Sequence, residues 1–161
     1  METKIEPGKQ SYVLAIDLGT GGPKVGLVDL DGNVVGSASG VTPIYFLPNN
    51  GAEQDPQEWW LEAVRASRQA IHSAGVDKED IVAISVTGQW GVIVPVDEHG
   101  EPLMRALHWA DMRGEPYNKQ IVEGFPTVQG YSLPKLIKYM NISGMPPMLT
   151  GSDSLGHMLF I

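Results

Sequence analysis

The sequence predicts an α/β protein in which helices cover both faces of a mixed sheet. Residues 13–16 form a short apolar run bounded by polar residues, which indicates a buried strand. Residues 81–87 are β-branched and almost uniformly apolar, which is typical of a central strand covered on both faces. Between these runs, Asp55-Pro56 followed by Glu58 marks a helix start, because aspartate caps and proline is tolerated at the first helical position. The order strand, helix, strand predicts a layered α/β fold.

The first predicted strand ends at Asp17 and leads into a glycine-rich bend, Gly19-Thr20-Gly21-Gly22. Glycine permits positive φ and lets a ligand approach the backbone closely. Successive N–H groups in such a bend form an anion-binding concavity, and a carboxylate beside it can hold magnesium, which prefers oxygen ligands. The bend therefore predicts phosphate handling, with Asp17 as the metal ligand. The phosphate-binding candidates are Gly19, Thr20, Gly21 and Lys24.

Two familiar glycine motifs are excluded. The Walker A motif places its lysine directly after a glycine and opens a helix, whereas Lys24 follows Pro23. The dinucleotide fingerprint would need its third glycine at position 24, and it too requires a helix. Residues 24–30 are rich in valine and leucine and contain glycine, so they predict a second strand instead. On local chemistry alone, an ordinary hairpin with a glycine turn remains the alternative.

The rest of the chain alternates short strands and helices. Asp31-Gly32 is a two-residue hairpin signal, so residues 33–41 predict a third, antiparallel strand. Residues 42–51 contain two prolines and two asparagines and predict a surface loop. The other predicted elements are a helix from Pro56 to near Gly75, strands at 92–96 and 103–109, helices at 116–124 and 133–141, and a last helix capped by Asp153.

Composition narrows the range of functions. The chain has 161 residues, no cysteine and a formal net charge of −8. Nucleic acid and anionic membrane surfaces are held by basic patches, so this charge argues against both as partners. The lack of cysteine excludes a disulfide scaffold and a cysteine nucleophile. Residues 1–10 predict a flexible tail without the apolar core of a signal peptide, and no apolar stretch approaches the roughly 18 residues that span a bilayer, which together predict a cytoplasmic protein.

Polar and aromatic residues follow several of the predicted strands. Ligand sites in open α/β sheets lie beyond the carboxyl ends of strands, so Asp17, Gln89, Trp90 and Asp111 are candidates for one cleft. The amide of Gln89 both donates and accepts, and Trp90 offers a face suited to the C–H side of a sugar. Asp111 can accept from hydroxyl groups and Arg113 is a planar donor, although a surface ion pair between these two is the alternative.

The string DLGTGGPKVGLVD resembles the first phosphate motif of the sugar kinase/actin/heat-shock ATPase superfamily. Within that superfamily the chain is most similar to the FGGY carbohydrate kinases, and the similarity continues through GAEQDPQEWW, ISVTGQWGVIVPVD, LHWADMR and LPKLIKYM. The resemblance implies a ribonuclease H-like fold beginning with three meandering strands. It also implies that residues 11–161 are a truncated N-terminal sugar kinase domain, without the C-terminal nucleotide-binding domain.

The resemblance implies phosphorylation of a sugar or polyol hydroxyl with ATP and magnesium. Asp17 would then act in catalysis through magnesium, and the sugar would be bound by Gln89, Trp90, Asp111 and Arg113. The general base belongs to a later motif that is expected beyond Ile161, so the chain alone is expected to be inactive. Where xylulose kinases carry Met-His and glycerol kinases Arg-Glu after the glutamine, this chain has Trp90-Gly91, which leaves the identity of the sugar open.

Two other functions stay open at this point. One is a non-catalytic sugar-binding or regulatory domain on the same fold, which the Trp90-Gly91 departure favours. The other is an ATPase of the chaperone or cell-shape type within the same superfamily. A small-molecule sugar is the expected ligand, and a homodimer is left open.

Overall fold

The computed structural model describes residues 10–161, so the predicted tail at 1–10 lies outside the described residues except for Gln10. The chain divides into two compact units. Unit 1 is formed by the chain up to Pro43 together with Pro56–Gln89, and unit 2 by Ile44–Asp55 together with Trp90–Ile161.

The described residues contain nine strands and four α-helices. In chain order the strands are β1 (Tyr12–Gly19), β2 (Gly22–Asp29), β3 (Val34–Ser39), β4 (Tyr45–Leu47), β5 (Gly51–Gln54), β6 (Ile81–Gly88), β7 (Ala106–Leu107), β8 (Thr127–Val128) and β9 (Tyr131–Ser132). The helices are α1 (Pro56–Ala74), α2 (Glu115–Val122), α3 (Leu133–Ser143) and α4 (Ser154–Phe160), with a short 3-10 turn at Lys78–Asp80.

Unit 1 is a four-stranded mixed sheet in the order β3-β2-β1-β6. The strands β1, β2 and β3 form the predicted antiparallel meander, and β6 runs parallel to β1. Because β1 and β6 are parallel, their carboxyl ends lie at the same edge of the sheet. The structure therefore confirms the predicted mixed sheet and the strand on each side of the glycine bend.

Helix α1 packs on one face of this sheet. Side chains alternate along a strand, so Leu14 and Leu27 point to the same side as Val25 and form the core with Ala66 and Ala70 of the helix. The small alanines let the helix approach the sheet. Gly36 of β3 has the same effect, because a Cβ there would lie 2.5 Å from the carbonyl oxygen of Ala70.

The predicted burial of residues 81–87 on both faces is wrong. In the described residues β6 is at the end of the sheet and pairs with β1 alone, and Ile84 and Val86 are 65% and 59% exposed. They lie on the same face as Leu14 and Ile16, but α1 packs mainly over β2 and β3. Within the described part of unit 1, no second helix covers the opposite face.

Unit 2 contains the three-stranded sheet β4-β5-β7, the helices α2, α3 and α4, and the β8–β9 hairpin. The helices α2, α3 and α4 confirm the three helices that the sequence predicted in this part of the chain. As predicted, Asp153 caps α4, because its carboxylate accepts from the Gly156 N–H at 2.8 Å. No helix in the described part of the chain combines the length and apolar character that crossing a bilayer requires.

The prediction of a loop at 42–51 is wrong, because a β-hairpin forms there. Asn49 and Asn50 adopt φ of 61° and 59°, and the Gly51 N–H donates to the Pro48 carbonyl at 3.4 Å. Two consecutive left-handed residues define the type I′ turn that suits hairpins. The turn therefore joins β4 to β5.

The strands predicted at 92–96 and 103–109 are also corrected. Residues 92–96 form only isolated bridges, Ile93 with Leu107 and Val96 with Pro102, and the second strand shortens to β7. Pro95 cannot donate to a ladder hydrogen bond, which explains the interruption.

Candidate functional site

Asp17 and Lys24 face each other across the β1–β2 ladder. The register pairs these two residues directly, and Lys24 Nζ lies 3.8 Å from Asp17 Oδ2. Their side chains are 75% and 44% exposed for the lysine and the aspartate, respectively. An ion pair this exposed contributes under about 1 kcal/mol to stability. The exposed fraction of Asp17 leaves its carboxylate accessible to a ligand, and its role as a metal ligand stays a prediction.

Gly21 and Gly22 of the bend differ in their backbone conformation and in the space around them. Gly22 has a φ of +126°, and a Cβ there would lie 2.3 Å from the carbonyl oxygen of Gly40. Gly21 has a φ outside the left-handed region and open space around its Cβ position. Gly22 therefore maintains the bend, whereas Gly21 presents its backbone to solvent.

Gly19 keeps the space beside the ion pair open. A Cβ at this position would lie 3.7 Å from Asp17 Oδ2 and 3.8 Å from Lys24 Nζ. The bend is also braced from the other side, because the Thr42 N–H donates to the Gly21 carbonyl at 3.2 Å. An exposed carboxylate, a lysine and accessible backbone at one bend fit a magnesium-bound polyphosphate.

We expect Gly22→Ala to lower the free energy of unfolding by about 2–4 kcal/mol, because the new methyl group clashes with Gly40 and the backbone conformation disfavours alanine. Gly21→Ala is the matched control and should change it by less than about 1 kcal/mol, since its methyl group meets nothing within 4 Å. Urea denaturation of both variants measures the difference, and equal losses would contradict this division of roles.

Gln89 lies next to the bend. Its backbone N–H donates to the Leu18 carbonyl at 3.1 Å, and Thr20 Oγ1 donates to its Oε1 at 3.3 Å. Gln89 lies beside the bend because β1 and β6 are parallel, so their carboxyl ends lie at the same edge of the sheet. Unit 1 thus brings together Asp17, the bend and Gln89, three of the features that the sequence singled out.

A depression of about 380 Å³ lies on the sheet of unit 1 beside this ion pair. Its lining includes Asp17 and Lys24 together with small side chains on the face that α1 does not cover, namely Ala15, Gly26, Ser85 and Thr87. Small side chains leave room for a ligand against the sheet next to the charged pair.

Asp111 belongs to unit 2 and is fully buried there. Its carboxylate accepts from the Ala52 N–H at 2.8 Å, from the Arg113 N–H at 2.9 Å and from Arg113 Nε at 2.9 Å. Arg113 also pairs with Glu53 at 2.6 Å, and its side chain is 16% exposed. The surface ion pair considered from the sequence is therefore a buried network.

The environment of Asp111 favours its charged form. Burial by itself raises the pKa of Asp111, but hydrogen bonds from Arg113 and from the Ala52 N–H outweigh it, so the pKa lies below its ordinary value. The network ties β5 to the segment that follows β7. Asp111 thereby fixes the position of the Arg113 guanidinium.

Two buried histidines adjoin this network. A ring nitrogen of His157, Nε2, lies 3.0 Å from the Asp111 carbonyl oxygen, and His108 Nδ1 accepts from the Ala110 N–H at 3.1 Å. Burial, with a smaller contribution from His157, lowers the pKa of His108. Among the described residues no group of three or more metal-ligating side chains occurs.

Trp90 also lies in unit 2 and is 59% exposed. It borders a pocket of about 450 Å³ together with Tyr131 and Tyr139. The structure thus places Asp17 and Gln89 in unit 1, and Trp90, Asp111 and Arg113 in unit 2. That all of them share one cleft stays a prediction.

Comparison with known proteins identifies the family. The model of the N-terminal domain of the FGGY family of carbohydrate kinases matches residues 12–145. The chain belongs to the FGGY family. This confirms the resemblance on which the sequence-based expectations of fold and activity were built.

Curated relatives of this FGGY chain include sugar and polyol kinases. The xylulose kinase of Staphylococcus epidermidis is 34% identical over 135 residues, which cover 80% of this chain and 27% of the relative. The glycerol kinase of Acaryochloris marina is 32% identical, with 83% and 27% covered. The chain therefore spans about a quarter of the length of these relatives.

Solved structures show the same fold for this FGGY chain. The xylulose kinase of Bifidobacterium adolescentis matches with a TM-score of 0.69 at 21% identity, over 94% of this chain and 29% of that one. The xylulose kinase of Rhodospirillum rubrum matches with a TM-score of 0.61 at 28% identity, over 68% and 22%. The predicted α/β fold of the sugar kinases is thereby confirmed.

The family match includes all of the site residues predicted from the sequence, from Asp17 to Arg113. The sequence analysis did not predict that Glu53 pairs with Arg113 or that His157 contacts Asp111. Glu53 had one available signal, its place shortly before the start of a helix. His157 had none, because its partner lies 46 residues away in the chain.

Proposed function

We propose that this chain is the N-terminal domain of a kinase that transfers the γ-phosphoryl group of ATP to a hydroxyl of a sugar or polyol. The observation that carries the proposal is the glycine bend with an exposed carboxylate and a lysine 3.8 Å apart beside it. Membership of the FGGY family supports it, as do relatives named xylulose kinase and glycerol kinase.

In this proposal unit 1 handles the phosphates. Asp17 holds magnesium, which when bound neutralises negative charge on the phosphate oxygens. The backbone N–H groups of Gly19 and Gly21 and the hydroxyl of Thr20 contact the phosphates, and Lys24 contributes a positive charge. Catalysis of phosphoryl transfer is mostly positioning and charge stabilisation, which these groups supply without forming a covalent intermediate.

We assign the orientation of the sugar to the side chains that the sequence singled out for it. Gln89 offers an amide beside the phosphate site, and Trp90 offers an aromatic face for C–H groups. Since the carboxylate of Asp111 already accepts three N–H groups, we assign it the positioning of Arg113, whose guanidinium then meets the substrate. The proposal includes a cytoplasmic location, because the reaction consumes the cellular ATP pool.

The proposal is tested by measuring ATP-dependent phosphorylation of a panel of pentuloses, hexuloses and glycerol by the complete protein that contains this chain. We expect ADP release that depends on a sugar or polyol, and none from the 161-residue chain alone. Sugar binding without ATP consumption would instead assign a non-catalytic sugar-binding domain. Hydrolysis that depends on a protein partner would assign an ATPase of another kind.

A further inference from the structure

Three buried side-chain atoms of unit 2 have no hydrogen-bond partner within residues 10–161. They are Nε2 of His108, Nδ1 of His157 and Oδ1 of Asn118. The three residues are almost completely buried, with exposed fractions of 1%, 0% and 0%. Buried polar groups without a partner are rare in native proteins because each one costs stability, so these three atoms need an explanation.

The side-chain amide of Asn118 has one orientation that suits its surroundings. Its Nδ2 donates to the Met148 carbonyl and to Asp153 Oδ1, both at 2.9 Å. The opposite orientation would bring the amide oxygen against these two acceptors, so Oδ1 points away from them. Asn118 therefore presents a buried acceptor.

The contacts of the two histidines decide which ring nitrogen carries the proton. Burial lowers the pKa of His108, which favours its neutral ring. Because His108 Nδ1 accepts from the Ala110 N–H at 3.1 Å, the proton of that ring is on Nε2. His157 Nε2 lies 3.0 Å from the Asp111 carbonyl oxygen, which can only accept, so in the neutral ring Nδ1 keeps a lone pair. His108 therefore presents a donor and His157 an acceptor.

Contacts within unit 2 bring the three side chains together. After burial, the next cause that lowers the pKa of His108 is the charge of His157, which acts only over a short distance. Asp153 Oδ1 accepts from Asn118 Nδ2 and from the Gly156 N–H. Since Gly156 directly precedes His157, Asn118 and His157 are also near each other. One donor and two acceptors are thus buried in the same part of unit 2.

We propose that one internal water molecule is bound between His108, His157 and Asn118. The water accepts from the Nε2–H of His108 and donates its two protons to Nδ1 of His157 and Oδ1 of Asn118. Buried waters in proteins typically make about three hydrogen bonds to groups that lack other partners. The two protons and the lone pair of the water therefore match the two acceptors and the donor of the side chains.

Other ligands match these groups less well. A metal ion needs lone pairs, and the nitrogen that His108 presents carries a proton. A direct hydrogen bond between the two rings would satisfy both histidines but would leave Oδ1 of Asn118 unpaired. Water is the ligand that satisfies all three atoms.

The bound water connects three segments of unit 2. Asn118 belongs to α2 and His157 to α4, and His108 belongs to the segment after β7 that also carries Asp111 and Arg113. The water is therefore part of the scaffold that positions the Arg113 guanidinium. The inference rests on contacts within unit 2 and does not depend on the proposed function.

The proposal is tested by a crystal structure of the complete protein that contains this chain, at a resolution that defines ordered water. We expect one water molecule about 2.7–3.2 Å from each of the three atoms. A direct hydrogen bond between the two rings, a metal ion at this position, or no ordered density between the three side chains overturns the inference.

Ring N–H signals of the isotope-labelled chain give a second, independent test. We expect the Nε2–H of His108 to show a cross-peak to water, with the sign of a water molecule that tumbles with the protein. The exposed His72 and His99 are internal references and should show no such cross-peak. A missing cross-peak at His108, or a proton on its Nδ1, contradicts the proposal.

A matched pair of variants tests the third partner of the water. His157→Phe removes the ring acceptor, and we expect the cross-peak between His108 and water to be lost. His72→Phe makes the same change at an exposed position and should leave the cross-peak unchanged. Its persistence in His157→Phe, or its loss in both variants, contradicts the assignment. If His157→Phe does not fold, the crystal structure and the wild-type signal of His108 decide the question.

Discussion

Asp111→Asn is expected to destabilise unit 2 by about 3 kcal/mol. Removing one partner of a buried ion pair typically costs about 3–5 kcal/mol, because the other charge stays buried. The lower end applies here, since Glu53 still pairs with Arg113 and the amide oxygen still accepts one hydrogen bond. The new amide also brings a donor into a site where all three existing contacts are N–H donors.

Urea denaturation followed by the indole signals of Trp90 and Trp109, both in unit 2, measures this loss. Glu98→Gln is the control, because that side chain is 87% exposed and the removal of its charge should change the free energy of unfolding by under about 0.5 kcal/mol. A similar stability for the two variants would mean that the buried network contributes nothing.

The pH dependence of the free energy of unfolding separates the contribution of the Asp111 charge from that of the side chain's shape. Because the pKa of Asp111 is lowered in the folded protein, the unfolded chain takes up its proton at higher pH. The stabilisation that the charged Asp111 gives the folded protein is therefore complete above the ordinary aspartate pKa of about 4. It is lost as the pH falls below that value. We expect the stability of Asp111→Asn to depend less on pH in that range than that of the wild type, and parallel curves would contradict this.

In the proposed kinase, Asp17→Asn is expected to lower turnover by about 100-fold or more, because it removes the carboxylate that is assigned to magnesium. Stability should change little, since the side chain is 44% exposed and its partner lies 3.8 Å away. Steady-state kinetics and denaturation of the same preparation measure both quantities. Asp31→Asn, an exposed aspartate in the β2–β3 turn, is the control and should retain kcat.

The glycine bend between β1 and β2 was accessible to sequence reasoning because its signals are local. An apolar run, an acid, three glycines and a second strand follow one another within 18 residues, 13–30. The start of α1 was equally local, with Asp55-Pro56 ahead of a long helix. Physical rules that act over a few residues therefore predicted the framework of unit 1.

Contacts between distant residues were not accessible in this way. Asp111 was expected to face a ligand cleft or, as the alternative, to form a surface ion pair, and its burial involves a hydrogen bond from the Ala52 N–H, 59 residues earlier. The exposure of Ile84 and Val86 depends on which strands α1 covers, which an apolar pattern does not encode. The β4–β5 hairpin was a missed local signal, since Asn49-Asn50 between a strand-forming run and Gly51 suits a type I′ turn.

The phosphate-binding role of the β1–β2 bend is tested most directly by titrating the isotope-labelled chain with magnesium tripolyphosphate and recording its backbone amide signals. We expect the largest shifts at Gly19, Gly21 and Lys24, and their loss when magnesium is omitted or when Asp17→Asn replaces the wild type. Unchanged signals at the bend, or shifts of equal size at a lysine elsewhere in unit 1 such as Lys78, would contradict a polyphosphate site there.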